Sequence, residues 1–162
     1  GQGEKILKYF YNNPSSSPTV RELSRITRMK RSTVQFYLKK LKKQRVLSVK
    51  NQWINSWQNK LYKSGYLQQK IIETGLVDYL EKELAASVVI LFGSVAKGEF
   101  VTESDIDIFV ECGKIKDLDL QLVEKKRGYS IELFMKYKLK QLPQPLLRNV
   151  INGVKLKGYI DL

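Results

Sequence analysis

Two aspartates stand one residue apart in Asp105-Ile106-Asp107-Ile108-Phe109-Val110. Side chains alternate along an extended chain, so Asp105 and Asp107 share one face of a strand and Ile106 and Ile108 the other. Neighbouring carboxylates repel one another unless a cation lies between them, and hard oxygen ligands of this kind suit Mg2+ or Mn2+. Upstream, the apolar run Val88-Val89-Ile90-Leu91-Phe92 ends in Gly93-Ser94. A small Gly-Ser turn at the end of a buried strand leaves N–H groups and a hydroxyl open to phosphate oxygens.

The composition narrows the chemistry. The 162 residues include no histidine and one cysteine, Cys112. Imidazole-based nucleophile pairs, imidazole zinc sites, cysteine zinc clusters and an internal disulfide are therefore excluded, and a metal here must be bound by oxygen. No apolar run approaches the roughly 20 residues that span a bilayer. The opening Gly1-Gln2-Gly3-Glu4 shows no basic n-region leading into an apolar h-region, so no secretion signal is expected and a reducing cytoplasm fits best.

The elements that must position these residues follow from pattern. Val88–Phe92 reads as a buried strand, and Asp105–Val110 as a second strand returning beside it. The ten intervening residues, Val95 to Ser104, are long enough for about two helical turns and a bend. The string Leu91-Phe92-Gly93-Ser94-Val95-Ala96-Lys97-Gly98, followed by Ser104-Asp105-Ile106-Asp107-Ile108, resembles the signature of the DNA polymerase β-type nucleotidyltransferase superfamily, and its minimal branch closely. That resemblance implies a small mixed sheet flanked by helices, a nucleoside triphosphate (ATP foremost) at Gly93 and Ser94, and two metal ions on Asp105, Asp107 and a third carboxylate. The implied reaction is nucleotidyl transfer with release of pyrophosphate.

The third acid is expected on the next strand, where Gly128-Tyr129-Ser130-Ile131-Glu132-Leu133-Phe134 offers Glu132. A glutamate departs from the family's commoner aspartate and reaches one methylene further. Its other reading is a surface carboxylate on an edge strand. Lys97 is either a triphosphate contact or a solvated lysine in a turn. Residues 142–156 resemble the end of minimal nucleotidyltransferases, with a short helix, a glycine and a last strand, and Lys125-Lys126-Arg127 reads as a charged loop.

The charge is lopsided. Residues 1–70 hold 16 Lys and Arg against 2 acids, net +14, whereas residues 71–162 hold 13 against 14, net −1. Such asymmetry marks one part that meets a polyanion and another with a different task. In the basic half, Ile6, Leu7 and Phe10 form one stripe of a first helix. Thr19 and Glu22 form a capping box for a second, with Leu23 and Ile26 inward. Ser32 or Thr33 caps a third, whose Val34, Tyr37, Leu38 and Leu41 face the core. Val46–Lys50, turned by Asn51-Gln52 into Trp53-Ile54, reads as a short hairpin.

The stretch from Arg31 to Leu47 resembles the recognition helix and first wing strand of winged helix-turn-helix domains. The resemblance covers residues 4–54 and implies duplex DNA binding. The outward residues Arg31, Ser32, Gln35, Phe36, Lys39, Lys40 and Lys43, with Lys50 on the wing, combine base-edge donors with phosphate-seeking cations. The alternative is a protein-docking winged helix. Residues 55–84 read as helical, Thr74 capping a helix from Gly75 to about Leu84. Trp53, Trp57, Tyr62 and Tyr66 read as packing residues in preference to base-stacking ones.

The expected architecture is thus α+β: a winged helix of three helices and a hairpin over residues 1–54, a helical connection over 55–84, and a nucleotidyltransferase domain over 85–162. The expected function is Mg2+-dependent nucleotidyl transfer to a protein or RNA acceptor by a chain that also binds double-stranded DNA. The other reading is a DNA-binding regulator whose nucleotidyltransferase-like domain binds nucleotide or mediates assembly. A homodimer reading two half-sites is compatible with the winged helix, although no heptad seam is visible.

Overall fold

The computed structural model describes residues 1–102, 104–127 and 129–162. Glu103, expected in the loop between the strands, and Gly128, expected at the start of the third, lie outside the described residues. The chain divides into two compact units, Gly1–Lys60 and Leu61–Leu162.

In the first unit α1 (Gln2–Asn12), α2 (Val20–Thr27) and α3 (Arg31–Lys43) enclose Ile6, Phe10, Leu23, Val34, Leu38 and Leu41. The α2 N-terminus forms as its sequence dictates, with the Thr19 hydroxyl accepting the Glu22 N–H at 3.1 Å. Ile26, expected inward, is 50% exposed. Thr27 takes that place, its hydroxyl donating to the Leu23 carbonyl at 2.6 Å, so that the buried stripe of α2 runs through Leu23 and Thr27. Neither Ser32 nor Thr33 caps α3. The helix starts one turn-position earlier, after Lys30, with no side-chain cap.

The wing is shorter than its alternating sequence suggests, a single bridge between Leu47 and Trp53. The Ile54 N–H donates to the Val46 carbonyl at 3.0 Å and the Ser48 N–H to the Gln52 carbonyl at 2.8 Å. Beyond that the Ser48 hydroxyl accepts from the N–H groups of Lys50 and Gln52, both at 3.3 Å, a local turn that competes with further ladder pairing. Trp53 is buried edge-on against Tyr11, with ring centroids 5.4 Å apart.

The boundary between the units falls within α4 (Trp57–Glu73). Its inward stripe is not the aromatic one. Asn59, Lys63, Ser64, Leu67 and Ile71 are buried, whereas Trp57 and Tyr62, read as packing residues, are 71% and 65% exposed. Asn59 is held by donating to the carbonyls of Arg45 and Ile54 at 3.0 and 2.9 Å. α5 (Leu76–Leu84) buries Leu76, Leu80 and Leu84; Gly75 is its N-cap, and the Thr74 hydroxyl accepts the Leu76 N–H at 3.3 Å.

The second unit is built on a four-stranded mixed sheet in the order β3-β2-β1-β4, from β1 (Ala86–Phe92), β2 (Ile106–Cys112), β3 (Ile131–Lys136) and β4 (Val154–Lys157). β1 is antiparallel to both β2 and β4, and β3 runs parallel to β2. One face of the sheet packs Val89, Leu91, Ile106, Ile108 and Val110 against residues of α4 and α5, and the other packs Val88, Ile90, Phe92 and Phe109 with Val150 of α7 (Gln144–Ile151). Burial on both faces accounts for the continuous apolar run of β1. Lys125, Lys126 and Arg127, expected as a loop, end the helix α6 (Gln121–Arg127).

Candidate active site and nucleic-acid face

The β1–β2 register sets the site. Phe92, the last residue of β1, pairs with Asp107, so the turn that follows begins directly beside that aspartate. Gly93 has φ +74°, and a β-carbon there would lie 2.5 Å from Asp107 Oδ2. Only glycine combines that backbone with so close an approach of the carboxylate. The turn then closes as one short loop. Glu99 N–H donates to Ser94 O at 2.9 Å and Gly98 N–H to Val95 O at 3.1 Å, with Gly98 at φ +70°. These paired bonds and the left-handed glycine are a Schellman arrangement, which ends helical turning after residues 93–98. The two full helical turns expected between Ser94 and Asp105 are absent from the described residues there.

The loop is tied down from α4, where the Ser64 hydroxyl donates to the Ala96 carbonyl at 3.1 Å and itself accepts from the Gln68 amide at 3.0 Å. Sequence reading passed over Ser64; its one signal was a polar residue on the apolar stripe of a helix. Its neighbour Lys63 is also buried, which pushes its ammonium down to about 8. Ser94 is half-buried in the loop and Lys97 is exposed on it.

The three acids gather at one end of β2. Asp107 lies within the strand, Asp105 just before it, and Glu132 is the direct register partner of Asp107 on parallel β3. Burial raises the Asp107 carboxyl above the ordinary range, and the charges of Glu132 and Asp105 and a hydrogen bond shared with Glu132 raise it further. A hydrogen bond between two carboxyl groups needs a proton on one of them, so the arrangement holds a proton where a cation would satisfy it as well. Among the described residues no three acids, cysteines or histidines form a ready-made ion cage. Mg2+ asks for less, being bound through one or two carboxylates with substrate phosphates and water filling the remaining positions. The donor set therefore fits such an ion when a triphosphate accompanies it.

In the first unit the outward side of α3 carries Arg31, Ser32, Gln35, Phe36, Lys39, Lys40 and Lys43, all exposed, Phe36 by 63%. Lys50 is exposed at the wing turn, whose backbone is held by the Ser17 hydroxyl donating to the Lys50 carbonyl. On the inner side Val34, Leu38 and Leu41 are buried, and Tyr37 is half-buried.

Residues 69–157 match the family model described as Polymerase beta, Nucleotidyltransferase. The chain belongs to the polymerase beta nucleotidyltransferase family. Gly93, Ser94, Lys97, Asp105, Asp107 and Glu132 all fall inside that match, and residues 5–49, which contain α1, α2 and α3, match the model described as Bacterial regulatory protein, arsR family. A nucleotidyltransferase domain thus follows a DNA-binding helix-turn-helix of the arsR type in one chain. No curated protein and no solved structure gives a significant match. No helix in the described residues is long and apolar enough to cross a membrane.

Proposed function

We propose that this nucleotidyltransferase moves a nucleoside monophosphate from a triphosphate, ATP foremost, onto a hydroxyl of a protein or RNA acceptor, and that its helix-turn-helix carries it to duplex DNA. The observation that carries the reading is the pairing of Asp107 with Glu132 beside the Gly93-Ser94 turn. Such a pair has no structural reward on its own, because carboxylates forced together oppose ionisation.

The residues divide the work. The N–H groups of the Gly93–Lys97 loop and the Ser94 hydroxyl hold triphosphate oxygens, and exposed Lys97 adds charge. Asp105, Asp107 and Glu132 would hold Mg2+ or Mn2+, which when bound neutralises charge on the triphosphate and acidifies the acceptor hydroxyl. The acceptor oxygen bonds to the α-phosphorus as the bond to the bridging oxygen breaks. Pyrophosphate leaves with that electron pair, and the acceptor's proton passes to solvent or to Glu132. On the first unit, Gln35 and Arg31 suit base edges, and Lys39, Lys40, Lys43 and Lys50 suit phosphates.

One observation favours a second reading, a DNA-binding regulator whose domain binds nucleotide without transfer: no ready-made cage of three acids exists among the described residues. Incubation with each α-labelled nucleoside triphosphate, Mg2+ or Mn2+, and fractionated RNA, DNA and protein separates the two. Label transferred by the wild type and lost in Asp107→Asn supports the enzyme. No transfer at all, with duplex binding intact, supports the regulator.

A further inference from the structure

A second recess lies in the first unit, away from the acids and independent of the reading above. It is a groove of about 480 Å3 between α1 and the end of α2. Lys5, Lys8, Tyr9 and Asn12 line it from α1 at i, i+3, i+4 and i+7, one continuous stripe of the helix. The facing wall is Ile26 and Arg28. The lining includes three cations and no carboxylate.

Its walls are not arbitrary surface. Ile26 carries the hydrophobic character of a core position yet stands half exposed because Thr27 has taken the inward place. Arg28 caps α2 in the left-handed region, at φ +58°, a conformation uncommon for a residue with a β-carbon. Tyr9 is fixed by a 2.6 Å hydrogen bond between its hydroxyl and that of Ser16 and by edge-on contact with Phe10.

The geometry points to a second ligand site in this groove for a nucleoside phosphate, separate from the Gly93-Ser94 turn. Its volume is in the range of small-molecule pockets. Lys5, Lys8 and Arg28 meet the phosphates, the Tyr9 ring and Ile26 take the apolar part, and the Asn12 amide serves a base or sugar edge. A duplex is convex and is met by the protruding α3; a recess between two helices suits a small anion better.

The test is titration of the full isotope-labelled chain with ADP in EDTA, followed by amide chemical shifts. Saturable shifts are expected at residues 5–13 and 26–28. Each of Lys8→Gln and Arg28→Asn should weaken them roughly tenfold, while Asp107→Asn leaves them unchanged. Asparagine is used at position 28 because it tolerates positive φ. Ile26→Gln, which keeps every charge, should weaken ADP but not inorganic pyrophosphate. Shifts confined to residues 93–98, ADP binding unchanged in the folded variants, equal affinity for ADP and pyrophosphate, or groove shifts with duplex DNA but not ADP would each overturn the proposal.

Discussion

A β-carbon on Gly93 would meet Asp107 Oδ2 at 2.5 Å, so the turn that receives phosphate and the strand that presents the acid are packed against each other. Neither can move without the other. Gly93→Ala should therefore act twice: left-handed backbone costs an alanine about 1–2 kcal/mol, and the displaced carboxylate should lower nucleotidyl transfer by roughly a hundredfold, the penalty of misplacement near 1 Å. Thermal unfolding and transfer rate measured together check this. A modest drop in melting temperature with a large loss of rate is the expected pattern, and duplex affinity should not change.

The Asp107 carboxyl titrates above its ordinary value, chiefly through burial and then through Glu132 and Asp105. A raised folded-state value means that the ionised form opposes folding. The cost is absent below the unfolded value, near 4, grows as pH rises through the folded one, and is fully present at neutral pH. In EDTA, Asp107→Asn is expected to melt at a higher temperature than the wild type at pH 7, with the gap closing toward pH 4. Mg2+ with ATP should stabilise the wild type and not the variant. Equal melting curves across this range would contradict the arrangement.

How much of this was legible beforehand depended on range. Asp105 and Asp107 could be placed on one face because period-two alternation is local, and the same holds for the buried stripe of α3. The Asp107–Glu132 pairing was visible only as a candidate, since the register of a parallel neighbour is set by strands far apart in sequence. Ile26 misled because Thr27, forming its own hydrogen bond to the Leu23 carbonyl, can be buried where an isoleucine was expected. Trp57 and Tyr62 misled likewise: α4 turns Lys63 and Ser64 inward, and a helix face is decided by what can be satisfied there as well as by hydropathy.

The α3 face makes a salt-dependent forecast. If Lys39 and Lys43 neutralise phosphates, log affinity for duplex should fall linearly with log salt, and each Lys→Ala substitution should reduce the slope by about one. Gln35→Ala should instead lower discrimination between sequences while leaving the slope nearly unchanged. Fluorescence anisotropy at several salt concentrations distinguishes the two behaviours.

Cys112 is buried, and burial with the nearby Glu111 charge pushes its thiol up to about 11. The thiolate is the reactive form, so alkylation of the native chain at pH 8 should be far slower than that of the unfolded chain. Mass spectrometry over a denaturant series should show modification rising along the unfolding transition of the second unit. Rapid labelling under native conditions would contradict the packing of β2.

The central claim is that Asp107 and Glu132 form one acidic centre serving the Gly93-Ser94 turn. Transfer of label from α-labelled ATP, measured side by side for the wild type, Glu132→Gln and Glu132→Asp at matched Mg2+, tests it most directly. Transfer abolished by the glutamine and substantially retained by the aspartate is the expected result. Undiminished transfer by Glu132→Gln would contradict it, leaving Glu132 a surface carboxylate on an edge strand.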